Sequence, residues 1–381
     1  MNAQRTRLAR LVVRDFRNLA NVELSPPSDG LVVVGDNGQG KTSLLEAIYY
    51  LQILRSVRGA RDQDLVRFGA EGFFLSATIE TDRCHEIGVG FERAGNRKRV
   101  RVDGMVPERL SEALGTLPSV MFSPADVELA AGAPSARRRF LDIMLALTAR
   151  GYLGALQRYR AALARRNAAL RESARAGRGS AASVAVWEPS LAESGAVLVR
   201  ERLAWVAAAA PAFERLCTEL GEQSPVAMRY SCTLPGAGDD PARMLASALE
   251  AKRPSDLRRG LTHVGPHRDD LAITIAGSDA MPRDLRTFGS AGQQRTAAIA
   301  LRMLEARTFS ERTGRAPVFL LDDPFAELDA RRAANVLTLL TRDGLGQTIL
   351  AVPREGDIPG SLTQLARARV TAGVVERYQA A

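Results

Sequence analysis

Lysine, cysteine and histidine are all scarce in this chain of 381 residues, with three of each against 52 lysines and arginines together. The three cysteines lie far apart and form no Cys-x-x-Cys pair, which excludes a zinc ribbon and a disulfide framework and favours a reducing compartment. No apolar run approaches the roughly 20 residues that cross a membrane, and the first residues lack the apolar core of a signal peptide. We therefore expect a cytoplasmic protein without membrane contacts.

The chain has a formal net charge of +9 and a sequence pI near 10.0. Excess positive charge favours polyanionic partners, and nucleic acid is the most common of these. A genome-wide preference for alanine and arginine explains the same composition, so the charge alone does not identify a ligand. The length is enough for two domains with substantial cores.

The lysine Lys41 lies in a segment that matches the phosphate-binding pattern Gly-x4-Gly-Lys-Thr. This segment follows the apolar run Leu31–Val34 and precedes a helical pattern at Ser43–Leu51. A ring of backbone N–H groups around phosphates leaves room for a compact ammonium but not for a planar guanidinium. The segment therefore predicts a nucleoside triphosphate site. Its predicted binding residues are Gly35, Asp36, Asn37, Gly38, Gln39, Gly40, Lys41, Thr42 and Ser43.

The first third of the chain has the alternation of a mixed sheet. Strands are expected at residues 8–16, 31–34, 73–80, 86–92 and 97–102. The last two form a hairpin whose second strand carries Arg97, Arg99 and Arg101 on one face. Such a face either follows a phosphate backbone or protects a sheet edge by charge. Arg55 and Arg58, after the first helix, extend the candidate DNA-binding residues.

From residue 135 to about 222 the pattern is helical, with Ser135 as an expected N-cap. We expect a flexible link at 171–183, a second helix at 187–206 and a loop at 236–240. The α/β pattern returns after residue 261, with strands at 271–275, 318–321 and 348–352 and helices at 293–309 and 329–341. These patterns predict a nucleotide-binding domain split into residues 1–125 and 261–381 by a helical arm at 126–260.

Asp322 and Asp323 end an apolar strand, which places two carboxylates at the carboxyl edge of the predicted sheet. Beside a phosphate loop, Asp322 would orient Mg²⁺ through water while Thr42 ligates it directly. Asp323 would polarise the attacking water, so the predicted catalytic residues are Lys41, Asp322 and Asp323. A polar turn after a core strand is the alternative interpretation.

The segment Thr287–Arg295 places small residues and a serine immediately before a helix, which is a second potential anion site. It lies one helix upstream of the aspartate pair, as the signature segment does in ATP-binding-cassette proteins. The chain resembles the RecF family of bacterial recombination mediators, whose ATPase heads are related to SMC proteins. The segments that carry this resemblance are Phe16–Asn18, Gly35–Ser43, Phe122–Asp126, Arg138–Asp142, Gly265–Asp270, Gly289–Arg295 and Leu321–Asp329.

The resemblance implies an α/β ATPase head of the ABC type, split in sequence by an α-helical arm. It further implies a head-to-tail homodimer driven by Mg-ATP, in which Ser290, Gly292 and Gln293 of one chain contact nucleotide on the other and Ala326–Asp329 faces the partner. Duplex DNA at single-strand gaps, slow DNA-dependent ATP hydrolysis, and the loading proteins RecO and RecR are implied in the same way.

Three departures from the cassette pattern bear on hydrolysis. Asp323 stands where a glutamate is usual, Pro324 follows it, and Ala351–Pro353 offers no polar residue to sense the γ-phosphate, although Arg354 is adjacent. Phe122–Pro124 occupies the expected place of the glutamine loop. A transporter ATPase subunit, a small-molecule kinase and an ATP-gated scaffold without hydrolysis are the alternatives.

Two further segments leave their roles open. His267 is either a structural residue or a catalytic one, and the first is slightly favoured. Arg137, Arg138 and Arg139 lie at a helix start, where positive charge is unfavourable, so we expect an acidic or phosphate partner for them. A solvated helix face is the alternative interpretation.

Overall fold

The structure is a computed structural model, and it describes residues 3–176, 181–234, 240–277, 281–325, 328–342 and 346–378. The strands are β1 (Gln4–Arg5), β2 (Arg7–Phe16), β3 (Leu19–Leu24), β4 (Gly30–Val34), β5 (Gly72–Glu80), β6 (Cys84–Glu92), β7 (Arg97–Val102), β8 (Ser119–Phe122), β9 (Val226–Ser231), β10 (Asp270–Ala276), β11 (Pro282–Asp284), β12 (Arg315–Ala316), β13 (Val318–Asp322), β14 (Thr348–Val352), β15 (Ala366–Thr371) and β16 (Val374–Tyr378). The helices are α1 (Lys41–Ile53), α2 (Glu128–Ala131), α3 (Pro134–Thr148), α4 (Tyr152–Ala176), α5 (Ala181–Ala185), α6 (Glu188–Glu219), α7 (Pro241–Arg259), α8 (Leu285–Phe288), α9 (Ala291–Thr313) and α10 (Ala330–Arg342).

The chain divides into two compact units, one of residues 1–126 with 301–381 and the other of residues 127–300. The first boundary lies close to the predicted one, but the second falls at residue 301 within α9 instead of at 261. The reason is strand pairing: β10 is hydrogen-bonded to β9 and β11, so residues 261–300 cluster with the segment expected to be an arm. That unit therefore contains a small antiparallel sheet as well as helices.

The first unit is built on a six-stranded sheet in the order β16-β15-β4-β14-β13-β8. All neighbours except β15 and β16 run parallel. Its three central strands β4, β14 and β13 are buried along their whole length. Parallel strands that are covered on both faces have continuous apolar sequences, and the apolar runs of these three strands predict them correctly.

A second sheet of the same unit is antiparallel, in the order β3-β2-β5-β6-β7. Helix α1 packs against strands of both sheets. Because of this double contact, α1 is buried from Leu44 to Ile53 on every side, as expected for a helix that is apolar all round. The helix therefore holds the loop before it in a fixed position between the two sheets.

The second unit packs α4, α6 and α7 against one another in pairs. The buried guanidinium of Arg166 on α4 joins all three elements of this core. It donates to Glu188 on α6 at 2.9 Å, to Asp256 on α7 at 2.9 Å and to the hydroxyl of Thr262 at 2.8 Å. A buried cation with several acceptors specifies how these helices pair, since a shifted helix would leave it without a partner.

Several predicted boundaries need correction. Helix α3 begins at Pro134 with Ala133 as its N-cap, because proline at the first helical position needs no N–H partner; the assignment of Ser135 is therefore wrong. Helix α6 does not end at Val206 but continues through Pro211 to Glu219, because buried side chains beyond the proline hold it. The 171–183 link is mostly helical in its described part, and its residues 177–180 lie outside the described residues.

The described part of the chain contains no helix that is both long enough and apolar enough to cross a membrane.

Candidate nucleotide site

The phosphate loop connects β4 to α1 and depends on two glycines. Gly38 and Gly40 have φ values of +82° and +120°, a region that side chains other than glycine rarely adopt. A Cβ at Gly40 would meet the side chain of Leu19 at 2.9 Å, so this position is also sterically closed. A Cβ at Gly38 would meet nothing within 4 Å. The loop is therefore tight at Gly40 and open at Gly38, which lines a cleft.

Neighbouring strands hold this loop in place. The amides of Ala372 and Gly373, in the β15–β16 turn, donate to the side-chain and backbone oxygens of Gln39 at 2.6 and 2.9 Å. The side chain of Asn18 donates to the carbonyl of Gly38 at 3.2 Å. These contacts fix the loop before any ligand arrives, which is how a pre-organised anion site limits its entropic cost.

Lys41 begins α1, and its side chain turns back into the loop. Its Nζ donates to the carbonyl oxygen of Asp36 at 3.0 Å and to that of Gly35. Burial lowers the pKa of this ammonium, and the carboxylates of Asp322, Asp323 and Asp36 act in the opposite direction. The partly buried ammonium of Lys41 is therefore a favourable partner for a phosphate group.

The predicted magnesium ligands lie together. Thr42 donates its hydroxyl to Asp322 Oδ1 at 3.1 Å, across from α1 to the end of β13. Burial raises the pKa of the Asp322 carboxyl, although Thr42, Arg58 and Lys41 favour its charged form. Hydroxyl and carboxylate oxygens are hard donors suited to Mg²⁺, which usually keeps several waters and phosphate oxygens as its other ligands. Thr42 and Asp322 therefore fit this ion.

Asp323 follows with a φ of +47°, a strained conformation for a residue other than glycine. Its amide donates to the carbonyl oxygen of Ala351 at the end of β14, at 2.9 Å. Ala351 and Val352 are buried, so the end of β14 contributes backbone and no polar side chain to this edge. This left-handed conformation turns the chain sharply at Asp323, the second of the two carboxylates.

A cleft of about 620 Å³ brings these groups together. Two arginines that line it were not predicted as nucleotide ligands. Arg17, at φ +56°, forms a bidentate pair with the buried carboxylate of Glu46 on α1. Arg58, which the sequence suggested as a DNA contact, also lines this cleft. The cleft is lined by Arg17, Asn18, Asn37, Gly38, Gly40, Lys41, Thr42, Ser43, Arg58, Asp64, Val66, Pro124, Asp322 and Asp323.

The sequence held a partial indication of these additional residues. Arg17 and Asn18 belong to Phe16–Asn18, one of the segments that resemble the RecF family. Only the fold shows that a tight turn brings them beside the phosphate loop. Pro124 lies in the segment expected to replace the glutamine loop, and its presence in the cleft is consistent with that expectation.

The predicted signature residues belong to the second unit, at the start of α9. Ser290 and Gln293 form a capping box: the amide of Ser290 donates to Gln293 Oε1 at 2.9 Å and the amide of Gln293 donates to Ser290 Oγ at 3.2 Å. Gln293 also donates its side-chain amide to Glu222 at 3.1 Å. Ser290 is exposed and Gly292 is half-buried. The arrangement presents a helix N-terminus to solvent. Of the partner-facing loop, Ala326 and Glu327 lie outside the described residues.

Three of the candidate DNA-binding arginines, Arg97, Arg99 and Arg101, are exposed along β7, which is the edge of the five-stranded sheet. Arg55 is exposed just after α1. A basic edge strand agrees with both interpretations, contact with a phosphate backbone and protection of the sheet edge by charge. The position of β7 does not distinguish between them.

The remaining family-like segments form structural contacts inside the second unit. Arg137 makes a bidentate pair with Asp270 at 2.9 and 2.8 Å, which is the acidic partner expected for the helix start. The Nε2 of His267 donates to the carbonyl oxygen of Thr262 at 3.1 Å, and its Nδ1 accepts from the hydroxyl of Tyr159 at 2.6 Å. Burial lowers the pKa of His267 to about 4. These contacts support the structural interpretation of His267.

The family described as RecF/RecN/SMC N terminal domain matches residues 7–356 of the chain. The DNA replication and repair protein RecF of Herpetosiphon aurantiacus is 35% identical over 388 residues, covering 97% of this chain and 99% of the relative. The protein of the same name from Chloroflexus aurantiacus is 37% identical over 394 residues, covering 96% of this chain and 98% of the relative.

Solved structures agree with these relatives. The recombination mediator protein RecF with ATP, of the RecFOR pathway, superposes with a TM-score of 0.88 at 29% identity and covers 99% of both chains. The Smc head domain from Pyrococcus furiosus reaches a TM-score of 0.56 at 16% identity, covering 98% of this chain and 96% of its own, and so bears on the fold alone. The predicted α/β head of the ABC and SMC type is confirmed.

Proposed function

Because the chain belongs to the RecF family, we propose that it is an ATP-dependent recombination mediator in DNA repair, and that Mg-ATP closes two copies into a clamp on DNA. The observation that carries the proposal is the Lys41, Thr42 and Asp322 cluster around an open phosphate loop. An ammonium, a hydroxyl and a carboxylate in this order are the groups that bind a triphosphate and its metal.

Different residues of the site bind the phosphates and the metal. The amides at Gly38 to Lys41 receive the β- and γ-phosphates, and Lys41 neutralises their charge. Thr42 and Asp322 hold Mg²⁺, which offsets charge on the phosphates when bound. Asp323 lies beside this pair and would orient the attacking water.

Ser290, Gly292 and Gln293 are proposed to complete the site in trans. They are presented at the N-terminus of α9, whose amides and positive helix end suit a γ-phosphate. A γ-phosphate held by both chains contributes contacts that ADP lacks, so ATP favours the dimer and hydrolysis releases it. Asp323 and the apolar end of β14 favour slow hydrolysis. The same apolar end also supports a second candidate function, an ATP-gated scaffold that does not hydrolyse.

Duplex DNA at single-strand gaps is the proposed polyanion, with Arg97, Arg99, Arg101 and Arg55 as candidate phosphate contacts. Contacts of this type carry no sequence information. The RecFOR pathway to which the solved relatives belong supports RecO and RecR as partners.

Sedimentation velocity tests the clamp directly. We expect a monomer without nucleotide or with ADP, and a dimer with Mg-ATP that binds gapped DNA more tightly. Lys41→Arg should stay monomeric under every condition, and DNA-stimulated phosphate release should be slow in the wild-type protein. A wild-type chain that remains monomeric in saturating Mg-ATP would refute the clamp. DNA binding indifferent to nucleotide would instead indicate a constitutive basic binder.

A further inference from the structure

A shallow trough of about 330 Å³ lies on the five-stranded sheet, away from the residues of the nucleotide cleft. One register row crosses four neighbouring strands there: Arg14 on β2 pairs with Phe74 on β5, Phe74 with Gly90 on β6, and Gly90 with Arg99 on β7. Adjacent strands are about 4.8 Å apart, so the backbone positions of Arg14 and Arg99 are separated by roughly 14 Å. The row thus places an aromatic residue between two cations.

Phe74 differs from the other aromatic residues of this sheet. Phe73 and Phe91 lie on the opposite face, where their rings stack with centroids 5.5 Å apart and are buried. Phe74 is 38% exposed. A Cβ added at Gly88 or Gly90 would lie 3.8 or 4.0 Å from the Phe74 ring, so the ring packs over the glycine backbone of β6. The absence of side chains at Gly88 and Gly90 leaves the ring accessible.

The trough and the strand beside it also carry an excess of arginines. The lining holds Arg14, Arg97 and Arg99 together with Asp15 and Glu92, and these two carboxylates already pair with Arg67 and Arg97. Among the described residues, Arg14, Arg99 and Arg101 have no ion-pair partner, whereas Arg97 has Glu92 at 3.9 Å. Arg101 belongs to the adjacent row, opposite Gly88. Exposed arginines on both sides of an accessible ring are complementary to a chain that alternates phosphates with flat rings.

We propose that this surface, which we name the Phe74 platform (Arg14, Phe74, Gly88, Gly90, Arg99 and Arg101), binds single-stranded nucleic acid. One unpaired base stacks on Phe74, and the flanking phosphates contact the arginines. Aromatic residues on the open face of a sheet bind unpaired bases in this way in other proteins. A duplex keeps its bases stacked inside, so it can use the arginines but not the ring. The choice of nucleic acid as ligand rests on the proposed function.

The experiment measures binding of fluorescent oligo(dT), a matched duplex and polyglutamate to the nucleotide-free protein by anisotropy. Phe74→Leu keeps apolar bulk but removes the ring, and should weaken oligo(dT) binding about fivefold to hundredfold. Duplex and polyglutamate binding should be unchanged. Phe68→Leu is the matched control, because Phe68 is 97% exposed but outside the platform. Arg99→Glu should weaken the binding of all three polyanions.

Phe74→Trp provides a second readout that does not depend on the loss of binding. It should retain oligo(dT) affinity, and its fluorescence should be quenched as the base stacks. Equal losses for oligo(dT), duplex and polyglutamate in Phe74→Leu would overturn the proposal, as would an unquenched Trp at saturation. ATP-driven dimerisation is measured separately on the same variants. Its failure in the wild-type protein would count against the clamp and leave the platform result standing.

Discussion

Two of the three lysines are enclosed by protein at positions where an arginine would not fit. Lys41 lies inside the phosphate loop. Lys98, on β7, donates to the carbonyl oxygen of Leu54 at the end of α1 at 2.8 Å, pairs with Asp62 at 2.6 Å and lies 5.3 Å from the centroid of the Tyr50 ring. A compact ammonium can contact three differently placed partners more easily than the planar guanidinium of an arginine can. In an arginine-rich chain, a retained lysine therefore marks a crowded cation site.

This size argument predicts that Lys98→Arg destabilises the protein by about 1–3 kcal/mol through overpacking and a lost helix-end contact. Lys252→Arg is the matched control, because Lys252 is exposed on α7, and its effect should stay within about 0.5 kcal/mol. Urea unfolding measures both. Equal effects of the two substitutions would contradict the explanation.

Asp322 is the residue through which metal and nucleotide binding are proposed to be coupled. It accepts a hydrogen bond from Thr42, and its partners favour the carboxylate although burial raises its pKa. We expect Asp322→Asn to reduce Mg²⁺ affinity in the presence of ATP about 10–100-fold, the usual cost of losing an outer-shell partner. Isothermal titration measures it, and ATP binding in EDTA is the control, which should change little. An unchanged Mg²⁺ dependence would exclude Asp322 from the metal site.

His267 predicts how stability depends on pH. Burial holds its pKa at about 4, below the ordinary 6.5, so between these values the unfolded chain binds more protons than the folded one. Stability must therefore fall as pH falls through that window, by roughly 3 kcal/mol in total. His267→Gln should flatten this part of the pH profile of urea unfolding. The other histidines are common to both proteins and cancel in the difference, so parallel profiles would contradict the assignment.

At the scale of elements, a largely buried ion pair between Arg137 and Asp270 joins α3 to β10, beside a hydrogen bond from Arg138 to the carbonyl oxygen of Asp269. The Arg137 side chain is 7% exposed and that of Asp270 23%, and removing one partner leaves the other charge poorly solvated. Arg137→Met should cost about 3 kcal/mol, with a coupling to Asp270→Asn of about 1–3 kcal/mol in a double-mutant cycle. The exposed Arg158→Met on α4 is the control and should be near neutral. Additive effects of the pair would contradict its role.

Elements with a strong local pattern were predictable, and those defined by pairing were not. The apolar runs of β4, β13 and β14 and the alternation of β2 and β5 lie where the sequence places them. β8 has only four residues, and β15 alternates Arg367 and Arg369 with small alanines, so neither gives a strong hydrophobic signal. Their positions on either side of the central strands depend on contacts between distant parts of the chain.

The candidate site likewise contains some residues that local patterns predict and others that only the fold brings together. The phosphate loop and the aspartate pair are local patterns, whereas Arg17 and Arg58 reach the cleft only through the fold. The hydrogen bond of Thr42 to Asp322 joins residues 280 positions apart, so its geometry required the sheet order.

At the scale of the whole molecule, the proposed head-to-tail assembly makes a prediction that no single substitution can test. Lys41→Arg damages the phosphate loop and Ser290→Arg damages the signature, so each variant alone should remain monomeric with Mg-ATP. Ser290→Arg should still bind ATP as a monomer, because Lys41 and Thr42 are intact. A mixture of the two contains heterodimers in which one composite site combines an intact loop with an intact signature. Sedimentation of that mixture should therefore show ATP-dependent heterodimers, weaker than the wild-type dimer because their second site is doubly defective. If each chain completed its own site instead, both chains of every pair would be defective and mixing would restore nothing.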